Sequence, residues 1–508
     1  MKKDSTQIER VSRRAFIRGA GLSIGAISAR GLYSFLDTVA AAERRPAEPA
    51  PAQRRREQYL VDGAGTVVDN GVTVLIPPLF HEIITARIAV APEPRALFAA
   101  QARLERALQH AEAPYAPTPA GLTMLVGWGL PYFQSFLAPE LIEQHMPIDL
   151  RYSDETGQRQ DVLLDAIRFP GDRDEMLIEH NHVVFVLRSD SQAILAAVEQ
   201  ALFEDAGGPA YIGDMFVLTS VRRGFVGRGF GTRSIAKQLA LAAGVPGAAQ
   251  IPDSAQLMMG FTSTQHGALA PDNLVNFETL PGITDQWPGG YFVGGTTMHL
   301  SQLFTDLALW YGRFTPAQRV ARMFSPRTFA APGVVTIPND GAHVSKLDDV
   351  KQDALSYQLL GHNATLQQAN RLLAPVVDNY GRAWPAGTPI SLRDDFNTLD
   401  NPFAWTSNPD LDQYSALPVA GLHFASFVAT SQQFHAMRLA MAGVLPDGTN
   451  LREPPYNIAD AANGINGAMR AMHRQNFLIP PRGRRAFPLA ELQNGIRRQF
   501  LPLARQNI

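Results

Sequence analysis

The stretch that decides the class of fold runs from His182 to Phe203 and reads His-Val-Val-Phe-Val-Leu-Arg-Ser-Asp-Ser-Gln-Ala-Ile-Leu-Ala-Ala-Val-Glu-Gln-Ala-Leu-Phe. Its first part is a short, apolar, β-branched run, which predicts a buried strand. Ser189, Asp190 and Ser191 then supply side chains that cap a helix, and apolar residues follow at helical spacing. The stretch therefore predicts a strand that leads directly into an amphipathic helix.

The same alternation of strand and helix extends in both directions along the chain. Strands are predicted at residues 72–76, 83–90, 122–126 and 420–428, and helices at residues 94–111, 297–311, 350–370 with a break at Gly361, 432–441 and 459–474. Alternation of this kind predicts an α+β fold.

Composition restricts the classes of function that the chain can have. It has 508 residues, a net charge of −2 and no cysteine. The length predicts two packed subdomains or one large domain with insertions, and the low charge without a basic patch argues against nucleic acid as a partner. Without cysteine, any metal ligand must come from His, Asp, Glu, Tyr or Met. After the N-terminal segment no apolar run reaches the roughly 20 residues of a transmembrane helix, so we expect no membrane span in the mature form.

The N-terminus carries an export motif. Ser12-Arg13-Arg14-Ala15-Phe16-Ile17-Arg18 precedes a mildly apolar run at residues 19–29. A paired arginine before a short apolar segment is what the twin-arginine translocase reads, and it carries folded proteins. We predict a signal peptide at residues 1–42, with small residues for cleavage at its end, and a periplasmic or extracellular mature protein. The Pro-, Ala- and Arg-rich residues 43–58 are predicted to form a disordered linker.

Four segments resemble the dye-decolourising peroxidase superfamily. They are Leu122-Thr-Met-Leu-Val-Gly-Trp-Gly-Leu-Pro-Tyr-Phe133, residues 182–202, Ala420-Gly-Leu-His-Phe-Ala-Ser-Phe427 and Phe477-Leu-Ile-Pro-Pro-Arg-Gly483. Each is a weak motif alone, but their order and rough spacing agree with that family. The resemblance implies a fold of the dimeric α/β-barrel type, with two ferredoxin-like halves whose antiparallel sheets are flanked by helices. We place these halves at residues 59–258 and 259–508.

The resemblance also implies a cofactor and a chemistry. Members of the family hold haem b without a covalent bond in the second half, and they oxidise organic reductants with hydrogen peroxide. Hydrogen peroxide and an organic reductant are thus expected partners, together with the translocase during export. A homo-oligomer is a further expectation, because members of the family often self-associate.

A histidine is expected to bind the haem iron, since neutral imidazole is a good axial ligand. In the family it lies between a glycine-rich motif and a strand with a distal arginine, and both His362 and His343 fall in that interval. We favour His362, because the helix break at Gly361 lets an imidazole project into a cavity. His343 and His299 are the alternatives.

Arg393 is expected to lie on the opposite face of the haem, where peroxide is cleaved. The segment Leu392-Arg393-Asp394-Asp395-Phe396 resembles the family's strand with the distal arginine. A guanidinium keeps its charge and can stabilise the negative charge that develops on a cleaving peroxide. Asp394 and Asp395 are candidates for proton transfer beside it. The alternative is that Arg393 only forms an ion pair with one of them.

The chain departs from the family at the glycine-rich motif, whose aspartate is the distal acid and base. The matching residues are Gly260-Phe261-Thr262-Ser263, so Ser263 replaces the carboxylate, while Gly260 and Phe261 are expected to contact the cofactor. A serine hydroxyl can relay a proton but does not change charge near neutral pH. Three functions follow: a peroxidase with an atypical distal site, a haem-binding or haem-carrying protein without peroxidase activity, and a cofactor-free envelope protein on the same scaffold.

Restoring the carboxylate tests the role of Ser263. In haem-loaded protein, Ser263→Asp should raise the rate of peroxide-dependent oxidation of a dye or phenol, since one proton-transfer group typically contributes about 10²–10⁴-fold. Initial rates of the variant and the wild type give the comparison. An unchanged or lower rate would remove Ser263 from the distal site.

Overall fold

A computed structural model describes residues 54–69, 71–227, 234–328, 345–402 and 418–493. Its strands are β1 (Thr66–Asp69), β2 (Val72–Leu75), β3 (Phe80–Ile88), β4 (Thr123–Gly129), β5 (Leu177–Ile178), β6 (Val183–Ser189), β7 (Phe216–Phe225), β8 (Thr296–Thr305), β9 (Val376–Val377), β10 (Ala383–Trp384), β11 (Leu392–Thr398), β12 (Gly421–Val428) and β13 (Met469–Ile479). Its α-helices are α1 (Pro94–Glu112), α2 (Leu130–Phe136), α3 (Pro139–His145), α4 (Leu150–Thr156), α5 (Gln192–Phe203), α6 (Ile235–Ala242), α7 (Leu307–Arg313), α8 (Pro316–Met323), α9 (Leu347–Tyr357), α10 (His362–Asn370) and α11 (Ser431–Met441). In these ranges, no helix is both long and apolar enough to cross a membrane.

Eight of the strands close into a barrel. Their order is β4-β6-β3-β7-β11-β12-β8-β13, and β13 also pairs with β4, which completes the ring. All of these pairings are antiparallel. The strands β3, β4, β6 and β7 with α1 and α5 form one ferredoxin-like unit, and β8, β11, β12 and β13 with α11 repeat its strand order. The fold class expected from the sequence is therefore confirmed, while the boundary at residue 258 stays a prediction.

The stretch from His182 to Phe203 forms β6 and α5. Val184 and Val186 belong to the core inside the barrel, to which strands of both halves contribute. Phe185 and Leu187 belong to the core outside it, with residues of α1 and α5. Because both faces of β6 are buried, its sequence is continuously apolar rather than alternating. At the helix start, the Ser191 hydroxyl accepts a hydrogen bond from the Ile194 amide at 3.4 Å, as a capping serine does.

Two predicted helices are wrong. Residues 297–311 form β8 and only then α7, and residues 459–474 form a 3₁₀ turn at Asp460–Ala462 followed by β13. Leu300 and Leu303 have helical spacing but lie on opposite faces of a strand that is covered on both sides. A strand is normally recognised by alternating apolar and polar residues, and β8 lacks this alternation because both of its faces are covered. The helical spacing of its leucines was therefore a coincidence.

The end of the predicted linker is packed against the barrel. Gln58 is 2% exposed, and its amide bonds the backbone of Val126 and Pro480 at 2.7–3.1 Å. Arg54 donates to the carbonyl oxygens of Glu112 and Leu122 at 2.9 and 3.2 Å. Packed structure therefore includes residues 54–58, which the sequence placed in the linker. The predicted signal peptide and the rest of that linker lie outside the described residues.

A buried carboxylate at the end of α1 joins the two ends of the described chain. Glu112 accepts from both Nη atoms of Arg485 at 2.9 Å and from Arg482 at 2.7 Å, and Arg54 lies 3.7 Å away. Burial alone would raise the pKa of Glu112, but the surrounding guanidinium groups lower it below its ordinary value. The carboxylate thus stays charged and holds the N-terminal and C-terminal segments against α1.

Removing this charge should destabilise the fold. Glu112→Gln leaves Arg485, whose side chain is 1% exposed, without its main partner. Breaking a buried pair in this way costs about 3–5 kcal/mol of unfolding free energy. Urea denaturation measures the change, and Glu105→Gln is the control, because Glu105 is the 30% exposed partner of the same arginine and should contribute about 1 kcal/mol or less. Equal effects of the two substitutions would contradict the assignment of Glu112 as the anchor.

Candidate functional site

A large cavity lies on the outer face of the second half. Its strand wall comes from β8, β11, β12 and β13, and its helix wall from α10 and α11. Residues 257–268 and the end of α8 complete it. The space between the protein atoms, counted together with the solvent at its open mouth, is about 1330 Å³. The lining is mostly apolar and includes Met258, Met259, Phe261, Leu366, Phe424 and Met469.

This cavity brings together residues that the sequence predicted from distant segments. His362 comes from the helix wall, Arg393 and Asp395 from the strand wall, and Phe261 and Ser263 from the glycine-rich motif. His299 also lines the cavity. Two of the predicted residues, Gly260 and Asp394, are not in its lining, and His343 lies outside the described residues.

Strand geometry separates the two neighbouring aspartates. Successive side chains of a strand point to opposite faces, so Arg393 and Asp395 face the cavity while Asp394 faces the inside of the barrel. There the carboxylate of Asp394 pairs with Arg188 at 2.7 Å. Asp394 is therefore removed from the candidate site, and Asp395 remains.

Arg393 holds the glycine-rich motif against β11. Its Nε and Nη2 atoms donate to the carbonyl oxygen of Ser263 at 3.1 and 3.0 Å. Asp395 Oδ2 lies 3.9 Å from Arg393 Nε, which is a loose ion pair. Burial lowers the pKa of Arg393, but a guanidinium keeps its proton at any physiological pH. The cavity therefore carries a fixed positive charge at this end.

Asp395 can change its protonation state near neutral pH. Asp395 is 4% exposed, and burial raises the pKa of its carboxyl group to about 6 despite the nearby positive charge of Arg393. The Oδ1 atom of Asp395 and the Oγ atom of Ser263 are both buried, and neither has a hydrogen-bond partner among the described residues. A carboxyl group with this pKa can accept and return a proton, which Ser263 alone cannot do.

Gly260 shapes the motif rather than lining the cavity. Its φ of +84° is in the left-handed region, and a Cβ there would lie 3.0 Å from the hydroxyl oxygen of Tyr311. The next residue, Phe261, packs edge-on against Phe324 and Trp310, at ring-centroid distances of 5.5 and 6.4 Å. Phe261 is thus a wall of the cavity, while Gly260 provides the turn behind it.

His362 presents a neutral imidazole to the cavity. It is the first residue of α10, after the break at Gly361 that the sequence indicated. Burial, together with the charges of Arg393 and Arg438, lowers the pKa of His362 to about 3. In the part of the chain that the structure describes, no group hydrogen-bonds either ring nitrogen. A neutral imidazole with an available nitrogen is a suitable metal ligand.

His299 is occupied by other contacts. Its Nδ1 and Nε2 atoms are in hydrogen bonds with Asn476 Oδ1 at 2.7 Å and Ser301 Oγ at 2.6 Å. Its ring stacks on Phe434 with a centroid distance of 3.7 Å. Binding a metal would break one of these hydrogen bonds, so the geometry favours His362 over His299.

Arg438 is a lining residue that the sequence analysis missed. It lies on α11 on the same face as Phe434 and Met441, which also line the cavity. The sequence did contain a signal. Arg438 lies four residues after Phe434 and three before Met441, and this spacing places it on the apolar face of the helix. Arginine is seldom buried unless it is paired, and Arg438 shares its carboxylate partner, Asp172, with Arg474.

The fold and the cavity define a two-half α/β-barrel protein with a largely apolar cavity in its second half. The chain belongs to the family of unknown function DUF7405, whose sequence profile matches residues 78–481. The search of curated proteins found no match.

Among solved structures, the chain is similar to DyP-type peroxidases. The one from Cellulomonas bogoriensis is 18% identical over 84% of this chain and 96% of that chain, with a TM-score of 0.47. The encapsulated one from Mycobacterium smegmatis is 15% identical over 82% and 95%, with a TM-score of 0.43. A variant of DypB from Rhodococcus jostii, in complex with heme, is 12% identical over 86% and 99%, with a TM-score of 0.43.

Proposed function

We propose that this chain is an exported haem b protein that oxidises organic substrates with hydrogen peroxide. In this proposal His362 would hold the haem iron, and Arg393 and Asp395 would act on peroxide. The observation that supports it is the meeting of these three side chains in one largely apolar cavity, with the imidazole on the helix wall and the other two on the strand wall.

The residues of the cavity fit a haem group. A porphyrin needs an apolar space and one protein ligand for its iron, and His362 offers a neutral imidazole there. No three His, Cys, Asp or Glu side chains come together within the described ranges as a cage for a bare metal ion. The unpartnered Oδ1 of Asp395 and Nη1 of Arg438 are buried and would gain partners from a bound polar group.

When bound, haem supplies the redox chemistry that cleaves the oxygen–oxygen bond. The protein supplies proton transfer and charge. Asp395 Oδ1, when ionised, accepts a proton from hydrogen peroxide and returns it to the departing oxygen. Arg393 stabilises the negative charge that develops on that oxygen, and it does so strongly because the site is largely shielded from water. The carboxylate that the glycine-rich motif lacks is therefore supplied by β11.

A second candidate function is haem binding without peroxidase activity. Metal-ligating histidines almost always donate their other ring N–H to a carboxylate, carbonyl or water, which raises the basicity of the ligand. No described residue accepts such a bond from His362. A weakly basic axial ligand would support binding of haem better than it supports peroxide cleavage.

The axial ligand can be tested by titrating the full-length protein with hemin. His362→Ala should weaken hemin binding by more than roughly 100-fold and abolish the absorption band of nitrogen-ligated iron, since even loss of an outer partner of a ligand costs 10–100-fold. His299→Ala should keep that spectrum. If His343→Ala removes the band and His362→Ala does not, His343 is the ligand and the assignment is wrong.

The role of Asp395 can be tested by the pH dependence of dye oxidation. Because only the ionised carboxyl accepts a proton, the wild-type rate should fall as the pH drops below about 6, the pKa of Asp395. In Asp395→Asn this decrease should disappear, and the rate should be lower by about 10²–10⁴-fold.

Asp394→Asn is the matched control for this experiment, because Asp394 faces the inside of the barrel. It should lower stability through the loss of its pair with Arg188 but leave the shape of the pH profile unchanged. Adding Ser263→Asp to Asp395→Asn should recover part of the rate. An Asp395→Asn variant that retains the wild-type decrease would exclude Asp395 as the base.

Export is tested by replacing the paired arginines. Arg13→Lys with Arg14→Lys should retain the unprocessed protein in the cytoplasm of a host that has the twin-arginine translocase, because that translocase reads the arginine pair. Fractionation and the mass of the product show the outcome. Arg18→Lys, outside the pair, is the control, and unchanged export of the paired variant would contradict the proposal.

A further inference from the structure

We propose that Arg438 forms a carboxylate-binding subsite in the helix wall of the cavity, separate from the groups that act on peroxide. The carboxylate belongs either to a haem propionate or to an aromatic or apolar acid that enters the cavity. The first source rests on the proposed function, and the second does not.

Arg438 is placed to meet a ligand in the cavity. It lines the space from α11, and its side chain is 14% exposed, with its guanidinium carbon 5.3 Å from the ring centroid of Phe169. On the same helix face, Phe434 and Met441 line the cavity on either side of it. The charged group is therefore held in an apolar wall rather than in solvent.

The charges around Arg438 do not balance. The neighbouring carboxylate, Asp172, is already taken by Arg474, which contacts both of its oxygens at 2.8 and 2.9 Å. Arg438 reaches one of these oxygens only at 3.4 Å. Its Nη1 atom is buried and has no hydrogen-bond partner in the described part of the chain. Two guanidinium groups thus share one carboxylate, which leaves an excess of one positive charge.

An uncompensated buried charge has an energetic cost that a ligand can remove. Burial and the charge of Arg474 lower the pKa of Arg438 to about 10, which still leaves it ionised at neutral pH. Other nearby charge does not compensate it, because Arg452 adds positive charge and its own partner is Asp460, at 2.5 Å. A buried charge without a partner is unfavourable, so an anion in the cavity would be bound strongly.

The chemistry of the ligand follows from the geometry and the charge. A guanidinium with an unpaired Nη atom suits a planar carboxylate, which can accept charge-assisted hydrogen bonds. The excess of one charge matches a monoanion rather than a phosphate dianion. The apolar lining suits a ligand body of aromatic or hydrocarbon character. Both a porphyrin propionate and an aromatic acid satisfy these conditions.

The test uses Arg438→Met, which keeps the length of the side chain and removes its charge. Two probe pairs differ only in the acid group: hemin against hemin dimethyl ester, and 2-naphthoate against 2-naphthamide. Binding to the full-length apoprotein is measured by fluorescence quenching. We expect the wild type to prefer the acid in at least one pair, and Arg438→Met to reduce that preference by roughly 10–100-fold, as loss of a charged hydrogen bond predicts.

The outcomes separate the two sources. A preference in the hemin pair alone assigns the subsite to a propionate, and a preference in the naphthalene pair assigns it to an acid substrate. If the wild type binds no hemin but still prefers naphthoate, the proposed function fails and the subsite stands. If the wild type shows no preference in either pair, or Arg438→Met retains it, the subsite is excluded.

Arg452→Met is the matched control, since Arg452 is not in the lining of the cavity and should leave both preferences unchanged. Thermal unfolding of both variants checks the fold. Arg438→Met removes a poorly compensated charge, so it should be at least as stable as the wild type. If thermal unfolding shows that Arg438→Met has an altered fold, Arg438→Lys replaces it in the test. Arg438→Lys keeps the charge and should retain part of the preference for the acid.

Discussion

The pairing of β13 with β4 is the constraint on which the rest of the structure depends. Phe477 and Leu478 of the last strand pair with Gly129 and Trp128 of the first half, and this contact turns a row of strands into a ring. A Cβ on Gly129 would lie 2.5 Å from Nε2 of Gln475 on β13 and 2.2 Å from the carbonyl oxygen of Asn181, so glycine permits the close approach. Once the ring is closed, its inner face is filled largely by apolar side chains from both halves, and the cavity with His362 and Arg393 lies on the outer face.

The position of the cavity follows from this closure. The outer face of the second half is covered by α10 and α11, and these two helices with the strands β8, β11, β12 and β13 enclose the space that contains His362 and Arg393. Antiparallel alternation then determines which side chains reach it. Of two adjacent carboxylates on β11, Asp394 lies inside the barrel with Arg188, and Asp395 lies in the cavity.

Buried charges have different roles in the two halves. At the end of α1, Glu112 is matched by several arginines, and this complete set of contacts ties the termini to the barrel. In the cavity, Asp395 and Arg438 each retain a buried polar atom without a partner. Removing one member of a fully paired buried set leaves its partners unpaired, which is costly, whereas a buried polar atom without a partner can gain one from a ligand.

The sequence alone determined the class of fold and the strand and helix of residues 182–203, because these depend on local patterning. Short motifs also indicated His362 and Arg393 as site residues, and their roles stay a prediction. Only the tertiary structure decided that residues 297–305 are a strand, since a strand buried on both faces has no alternation to show. No local pattern here predicts which face of β11 a given side chain occupies. The tertiary structure places Asp395 in the cavity and Asp394 inside the barrel. Arg438 and Arg474 share the single carboxylate of Asp172, which comes from a distant segment of the chain. That there is one negative charge for two positive charges becomes visible only when the chain is folded.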